Sequence, residues 1–204
     1  MLRTSVALVA AVTAGTLVLT VLAQSQEKAP APSEVKKQFA AAAEKASAPT
    51  EQHKRLAAFV GEFDQAVEVR MDPGEPMKNH VLATGEWIMG GRYVRIAART
   101  APEEELKGER LTIYGYDTRI GKYTVWTIDT ATTFAVSAAG DFDPDTKTFT
   151  LEGERYGRGA EKVLFRWVLR LHDGGGFTQE IQMKPPEADQ FLPVVTVKNT
   201  PKGK

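Results

Sequence analysis

Apolar and polar residues alternate in short runs from Gly61 to the end of the chain, with no long stretch of helical periodicity. Alternation with a period of two is typical of β-strands that bury one face. The pattern predicts strands at 62–71, 81–89, 92–100, 109–116, 122–129, 133–140, 148–156, 162–172, 176–183 and 191–198. Because the turns between them are short, we expect a meander, and closing a meander into a barrel removes its exposed edges. The predicted fold is therefore all-β: an antiparallel up-and-down barrel of about ten strands.

A short helix is predicted just before the strands, in the stretch "PTEQHKRLAAFVGEF". Thr50 can cap the start of this helix and Gly61 can end it. Leu56, Phe59 and Val60 fall on one face at helical spacing. We expect the helix to dock on the barrel through that apolar face.

The stretch "GEWIMGGRYVRIAART" predicts a β-hairpin with Gly90 and Gly91 at its centre, because glycine tolerates the positive φ of a two-residue turn. One face then holds Gly85, Trp87, Met89, Arg92, Val94 and Ile96, and the other holds Thr84, Glu86, Ile88, Tyr93, Arg95 and Ala97. The first face is predicted to line the interior, and Glu86 and Arg95 are expected to pair across the strands. Arg92 has two interpretations: it extends to water at the rim, or it anchors a carboxylate or phosphate at the barrel mouth.

Aromatic side chains recur in the next hairpin, "LTIYGYDTRIGKYTVWTIDT". Tyr114 and Tyr116 share one strand face, and Trp126 lies on the following strand. Such side chains suit a ligand cavity, and they suit an ordinary packed core equally well. Asp117 and Asp129 precede turn-like sequences, which is typical of aspartates that start turns.

The N-terminal segment combines Arg3, an uncharged apolar stretch and small residues at Val21 and Ala23. This pattern predicts a secretory signal cleaved after Ala23, and an uncleaved membrane anchor is the alternative. The next segment is rich in Ala, Pro, Lys and Glu, so we expect a flexible linker with marginal helicity. The predicted organisation is a signal peptide at 1–23, a linker at 24–49, a barrel domain at 50–199 and a disordered tail at 200–204.

Composition excludes several classes of function. Basic and acidic residues number 26 each, so no net charge favours nucleic acid. The chain has no cysteine, which excludes disulfides, thiolate metal sites and a cysteine nucleophile. The predicted outward faces carry Glu86, Arg95, Arg166 and Arg170, which argues against a lipid-facing barrel and against stable membrane insertion once the signal is removed. A homo-oligomer is compatible with the sequence.

A calcium-like spacing occurs in "DFDPDTKTFTLE", with acids at Asp141, Asp143, Asp145 and Glu152. The glycine that a calcium loop needs at its sixth position is replaced by Thr146. Turn chemistry explains aspartates around a proline equally well, so no metal site is predicted here. His53 has no neighbouring His or Cys, and we expect it to be a surface residue.

The order of the motifs "EQHKRLAAFVGEF", "GGR", "YGYD", "KYTVWTID" and "GDFDPDTKTFTLEGE" resembles the bacterial domain-of-unknown-function family 1579. The resemblance covers about 50–198 and implies a calycin-like barrel, similar to lipocalins and nitrobindins. It also implies a cavity for a small, largely apolar molecule. The residues in its motifs are Arg92, Tyr116, Asp117, Trp126 and Asp129. Nitrobindin-like proteins hold haem through a histidine near the chain end, whereas the last histidine here is His172, so no cofactor is expected.

Three hypotheses of function follow. The first is a secreted or periplasmic barrel that binds a small hydrophobic or amphipathic ligand through Arg92, Trp87, Tyr114, Tyr116, Trp126 and Asp129. The second is a filled barrel that serves as a non-catalytic interaction or assembly module. The third is an enzyme acting on a small apolar substrate, although the sequence contains no hydrolase, zinc-protease or phosphate-loop motif.

Overall fold

The computed structural model describes residues 32–70, 74–156 and 161–203. Contacts divide the chain into two units, Met1–Ala48 and Pro49–Lys204. In the first unit, helix α1 spans Pro32–Ser47, a segment for which the sequence predicted only marginal helicity within a linker. Its apolar residues Val35 and Phe39 are 49% and 75% exposed. The predicted signal segment lies outside the described residues.

Within the described part of the chain, no helix combines the length and the hydropathy that crossing a bilayer would require.

The second unit is a closed barrel of ten antiparallel strands, as the alternation predicted. The strands are β1 (Gly61–Val69), β2 (Met77–Ile88), β3 (Tyr93–Thr100), β4 (Glu109–Asp117), β5 (Lys122–Asp129), β6 (Val136–Asp143), β7 (Thr148–Tyr156), β8 (Lys162–Leu171), β9 (Phe177–Lys184) and β10 (Leu192–Pro201). Each strand pairs with the next in sequence, and β1 pairs with β10 to close the barrel. The last strand extends into the segment predicted to be a disordered tail.

The hairpin formed by β2 and β3 has the predicted register over the last three residue pairs before the turn. The cross-strand partners are Ile88 with Tyr93, Trp87 with Val94, and Glu86 with Arg95. Glu86 and Arg95 also form an ion pair. The connection is longer than the predicted two-residue turn: it spans 89–92, and Met89 and Arg92 are not paired. Met89, Gly90 and Gly91 have positive φ values (50°, 66° and 81°), and the Gly91 N–H donates to the Ile88 carbonyl (3.2 Å).

A helical segment precedes β1. It consists of a single α-turn, α2 (Glu51–Lys54), followed by a 3₁₀-helix (Arg55–Phe59). Leu56 and Phe59 are each 1% exposed, which confirms the predicted docking face, while Val60 is 36% exposed at its edge.

The Phe59 ring fixes this segment in one end of the barrel. It stacks on Tyr114 with centroids 4.6 Å apart and meets Phe149 at 5.4 Å and Phe177 at 4.9 Å. The absence of a side chain at Gly85 lets the backbone approach closely, since a Cβ there would lie 1.8 Å from the Phe59 carbonyl oxygen. This half of the interior is therefore filled by aromatic packing.

Candidate functional site

The two ends of the barrel differ in how they are covered. At the closed end lie the 3₁₀-helix, α2 and the short turns 89–92, 118–121, 144–147 and 172–176. Tyr123, at the start of β5, links this end to the helix: its Oη accepts a hydrogen bond from Arg55 (3.1 Å) and donates one to the carbonyl of Gln52 (3.2 Å). The open end carries the longer connections 101–108, 130–135 and 185–191, and β1 and β7 end there.

A layer of polar side chains crosses the middle of the barrel, and we call it the polar layer. Its members are Gln65, Arg110, Tyr114, Gln179 and Asn199. Arg110 donates to Gln65 Oε1 (3.2 Å), Gln65 Nε2 donates to Asn199 Oδ1 (2.7 Å), and Tyr114 Oη donates to Gln179 Oε1 (3.4 Å). Two of these bonds join β4 to β1 and to β9, strands that are not neighbours of β4 in the sheet, and the third joins the neighbours β1 and β10. The polar layer therefore separates the aromatic half of the interior from the half towards the open end.

Burial controls the ionisation of two members of this layer. It raises the pKa of Tyr114, although the nearby Arg110 charge acts in the opposite direction. Burial also lowers the pKa of the Arg110 guanidinium, which the charges of Tyr114 and Asp129 oppose. Tyr114 is therefore a neutral hydrogen-bond donor at physiological pH, while arginine keeps its charge there.

Beyond the polar layer, nine side chains point inward and yet are partly exposed. We call this region the open half; these residues are Val67, Val69, Asn79, Val81, Val136, Arg155, Ile181, Met183 and Val195. Val163 and Phe165 also face inward there but are 4% and 2% exposed, as buried as Phe149 (1%) and Leu169 (0%) in the aromatic half. Solvent therefore reaches the barrel interior from the open end.

Three buried polar atoms have no hydrogen-bond partner among the described residues. They are Asn79 Oδ1, Arg155 Nε and Trp167 Nε1. All three belong to side chains at inward positions, and Trp167 is 3% exposed. Asn79 and Arg155 belong to the open half, and Ile181, the cross-strand partner of Trp167, does too. Buried polar groups without partners are uncommon and costly, so these atoms mark the open half as the candidate site.

The six residues predicted to bind a ligand do not come together. Trp87 and Arg92 lie at the closed end, where Arg92 Nη1 donates to the Met89 carbonyl (3.0 Å). Tyr116 lies there too, with its ring 5.7 Å from that of His53. Tyr114 belongs to the polar layer.

Asp129 is at the open end of β5 and serves a turn, since its Oδ1 accepts bonds from the Ala131 N–H (3.0 Å) and the Thr132 hydroxyl (3.1 Å). Trp126 faces outward and is 39% exposed, so it does not line the interior.

Sequence reasoning missed Gln65, Arg110, Arg155, Trp167, Gln179 and Asn199. Their signal was present as strand parity: Arg110 lies four residues before Tyr114, so both side chains point to the same face of β4. A charged residue at an inward position was the observation that would have identified the site.

His53 corrects another expectation. It is 5% exposed rather than a surface residue, because α2 places it against the Tyr116 ring. Its Nδ1 accepts a hydrogen bond from the Thr50 backbone N–H (3.0 Å). Burial and, to a lesser degree, the Arg92 charge lower its pKa.

The acidic residues with calcium-loop spacing form ion pairs and turn hydrogen bonds. Asp141 pairs with Lys122 at 2.5 Å, Glu152 pairs with Arg166 at 2.6 Å, and Asp143 accepts bonds from the turn that contains Asp145 and Thr146. No group of three or more acidic or histidine side chains is placed to hold a metal within 32–70, 74–156 and 161–203.

Comparison with known proteins gives a family. No curated protein matches the chain. The family model described as "Protein of unknown function (DUF1579)" matches residues 48–199, which include the docked helix and nearly the whole barrel. The ten-stranded antiparallel barrel agrees with the calycin-like fold that the sequence motifs implied. The chain belongs to the DUF1579 family.

Proposed function

We propose that this protein binds a small amphipathic molecule in the open half of its barrel. The observation that carries the proposal is the contrast between the two halves of the interior. Aromatic packing fills much of one half, whereas nine inward-facing side chains of the other half are partly exposed and two of them, Asn79 and Arg155, have buried polar atoms without a partner.

The lining of the open half suits such a molecule. Val67, Val81 and Ile181 offer apolar surface, while Asn79 and Arg155 offer polar groups at inward positions. Ligand sites in proteins typically combine a mainly apolar lining with a few polar groups that fix orientation. Barrels of larger strand number enclose ligand space more readily than small ones, and ten strands is above the size at which side chains alone fill the interior.

The proposed location is outside the cytoplasm. Support comes from the N-terminal sequence, in which one basic residue, an apolar stretch and the small residues Val21 and Ala23 follow the order of a secretory signal. The mature protein would then begin at Gln24.

Native mass spectrometry of the mature protein, purified from the periplasm of its own host, tests the proposal. We expect a stoichiometric small molecule that denaturing extraction releases. Val67→Trp would fill the open half from β1 and abolish this adduct. Ala66→Trp, the adjacent exposed position, is the matched control and should keep it.

The second candidate is an interaction module, and an apolar outer face favours it. Tyr93, Trp126 and Ile128 are each about two-fifths exposed on β3 and β5. A clean apo mass, together with no thermal shift across a panel of lipids and metabolites, would contradict ligand binding and support this candidate instead.

A further inference from the structure

We infer that the ligand carries an anionic group, such as a carboxylate, and that Arg155 is its charge partner in the barrel. This inference rests on the proposed function and specifies the chemistry of the ligand. Three observations support it: the environment of Arg155, the indole of Trp167, and the charge at inward-facing positions.

Arg155 lies near the open end of β7 with its side chain directed into the barrel. Its Nη2 contacts Met183 Sδ at 3.1 Å, and its Nε is buried without a partner. Thioether sulfur is a weak acceptor, so this contact leaves most of the guanidinium's donor capacity unused. Within the described residues, no carboxylate forms an ion pair with Arg155.

The neighbouring strand contributes a second donor. Trp167 faces inward on β8, is 3% exposed and has no acceptor for its Nε1–H. Phe165, whose ring centroid lies 6.1 Å from that of Trp167, provides apolar surface between it and Met183, its partner on β9. Both donors therefore lie along one wall of the barrel, formed by β7, β8 and β9, and neither finds an acceptor among the described residues.

The charged side chains inside the barrel also favour an anionic ligand. The charged residues at inward-facing strand positions are Arg110, Asp129 and Arg155. Arg110 and Asp129 are cross-strand partners, and the carboxylate of Asp129 supports the charge of Arg110. Among the described residues, the positive charge of Arg155 then has no ion-pair partner, and a partly buried cation without one favours an anionic ligand.

Isothermal titration calorimetry with three probes of equal chain length tests the inference: decanoate, 1-decanol and decyltrimethylammonium, each with the mature protein at neutral pH. We expect decanoate to bind at least about tenfold more tightly than decanol, as a charge-assisted hydrogen bond provides. The cationic probe should bind more weakly than decanol.

Arg155→Met removes the charge and keeps an apolar side chain of similar reach. We expect its decanoate affinity to fall to that of decanol, with decanol affinity unchanged. Arg170→Met is the matched control, because Arg170 is an exposed residue on the outer face of β8, and it should retain the wild-type preference.

A spectroscopic measurement reports on the second donor without relying on a variant's stability. In protein labelled with ¹⁵N-tryptophan, the three indole resonances belong to Trp87, Trp126 and Trp167. Decanoate should shift the Trp167 signal most, because Trp87 and Trp126 lie at the rim and on the outer face.

The outcomes separate the two proposals. Equal affinity of the wild-type protein for decanoate and decanol, or tighter binding of the cationic probe, would overturn the anionic assignment while ligand binding stands. A decanoate preference that survives Arg155→Met would overturn the role of Arg155. Failure of all three probes to bind would count against the proposed function itself.

Discussion

At the scale of single residues, the pKa values of His53 and His80 are shifted in opposite directions. His53 is buried and accepts a bond at Nδ1 from the Thr50 N–H, so its environment favours the neutral ring and lowers its pKa. His80 lies at the surface between Glu103 (3.1 Å) and Asp64 (3.2 Å). Its pKa is raised, with the hydrogen bond to Glu103 as the largest cause. Protonation therefore weakens the fold at His53 and strengthens it at His80.

The lowered pKa of His53 gives a specific dependence of stability on pH. Because the unfolded histidine takes up its proton first, at a pKa near 6.5, the free energy of unfolding should fall as the pH drops through about 6.5 towards the lower folded pKa. His53→Gln should remove this part of the slope, as urea denaturation between about pH 7.5 and pH 5 would show.

His80→Gln is the reciprocal control for that measurement. The stabilisation from protonated His80 is present below about pH 6.5 and is lost as the pH rises through its raised folded pKa. The wild-type protein should therefore lose stability relative to His80→Gln on going up in pH. An unchanged acid slope in His53→Gln would show that His53 is not titrating as described.

At the scale of elements, the 3₁₀-helix docks on the barrel through two buried side chains, Leu56 and Phe59. Phe59 reaches three aromatic rings that come from β4, β7 and β9. Its neighbour Val60, at the end of the same helix, is 36% exposed. Most of the docking energy should therefore reside in Phe59 and Leu56 rather than in Val60.

Truncating the Phe59 side chain tests this view. Phe59→Ala should lower the free energy of unfolding by about 3–5 kcal/mol, because it removes buried aromatic surface and leaves a cavity among rigid strands. Val60→Ala should cost under about 1 kcal/mol, since the side chain is partly exposed. Chemical denaturation of both variants gives the comparison, and equal losses would contradict the role assigned to Phe59.

The elements were the most predictable part of the fold. Alternation identified all the strands, because each buries one face and exposes the other. The predicted strand boundaries were wrong where inward residues are polar. Strand β2 begins at Met77 rather than near Val81, because the polar Asn79 at an inward position does not continue the apolar face. The same property hid the candidate site, whose Arg110 and Arg155 interrupt the apolar pattern.

At the scale of the whole molecule, contacts across the barrel determine the site. Gln65 and Arg110 are separated by 45 positions, and Tyr114 and Gln179 by 65, yet each pair is joined by a hydrogen bond between strands that are not neighbours in the sheet. A strand pattern assigns residues to the inside or the outside, and it does not say which inward residues meet across the interior. The polar layer could therefore be recognised only in the assembled barrel.

Closure of the barrel gives a prediction at this scale. Ending the chain after Asp189 removes β10 and exposes the edges of β1 and β9. We expect the shortened protein to lose cooperative unfolding and to self-associate, because exposed strand edges pair with other chains. Thermal melts followed by circular dichroism, with sedimentation velocity, measure both effects. A monomer with a sharp transition would show that the barrel does not depend on its last strand.

The pairing of β1 with β10 also has a consequence for biosynthesis. The strand that completes the barrel is the last of the ten to be synthesised, so the sheet stays open until β10 has emerged from the ribosome. Until then β1 lacks one of its two partners, and the nascent chain presents an edge that chaperones can recognise. Closure is thus the last of the strand pairings to become available, although all the other pairs join neighbours in sequence.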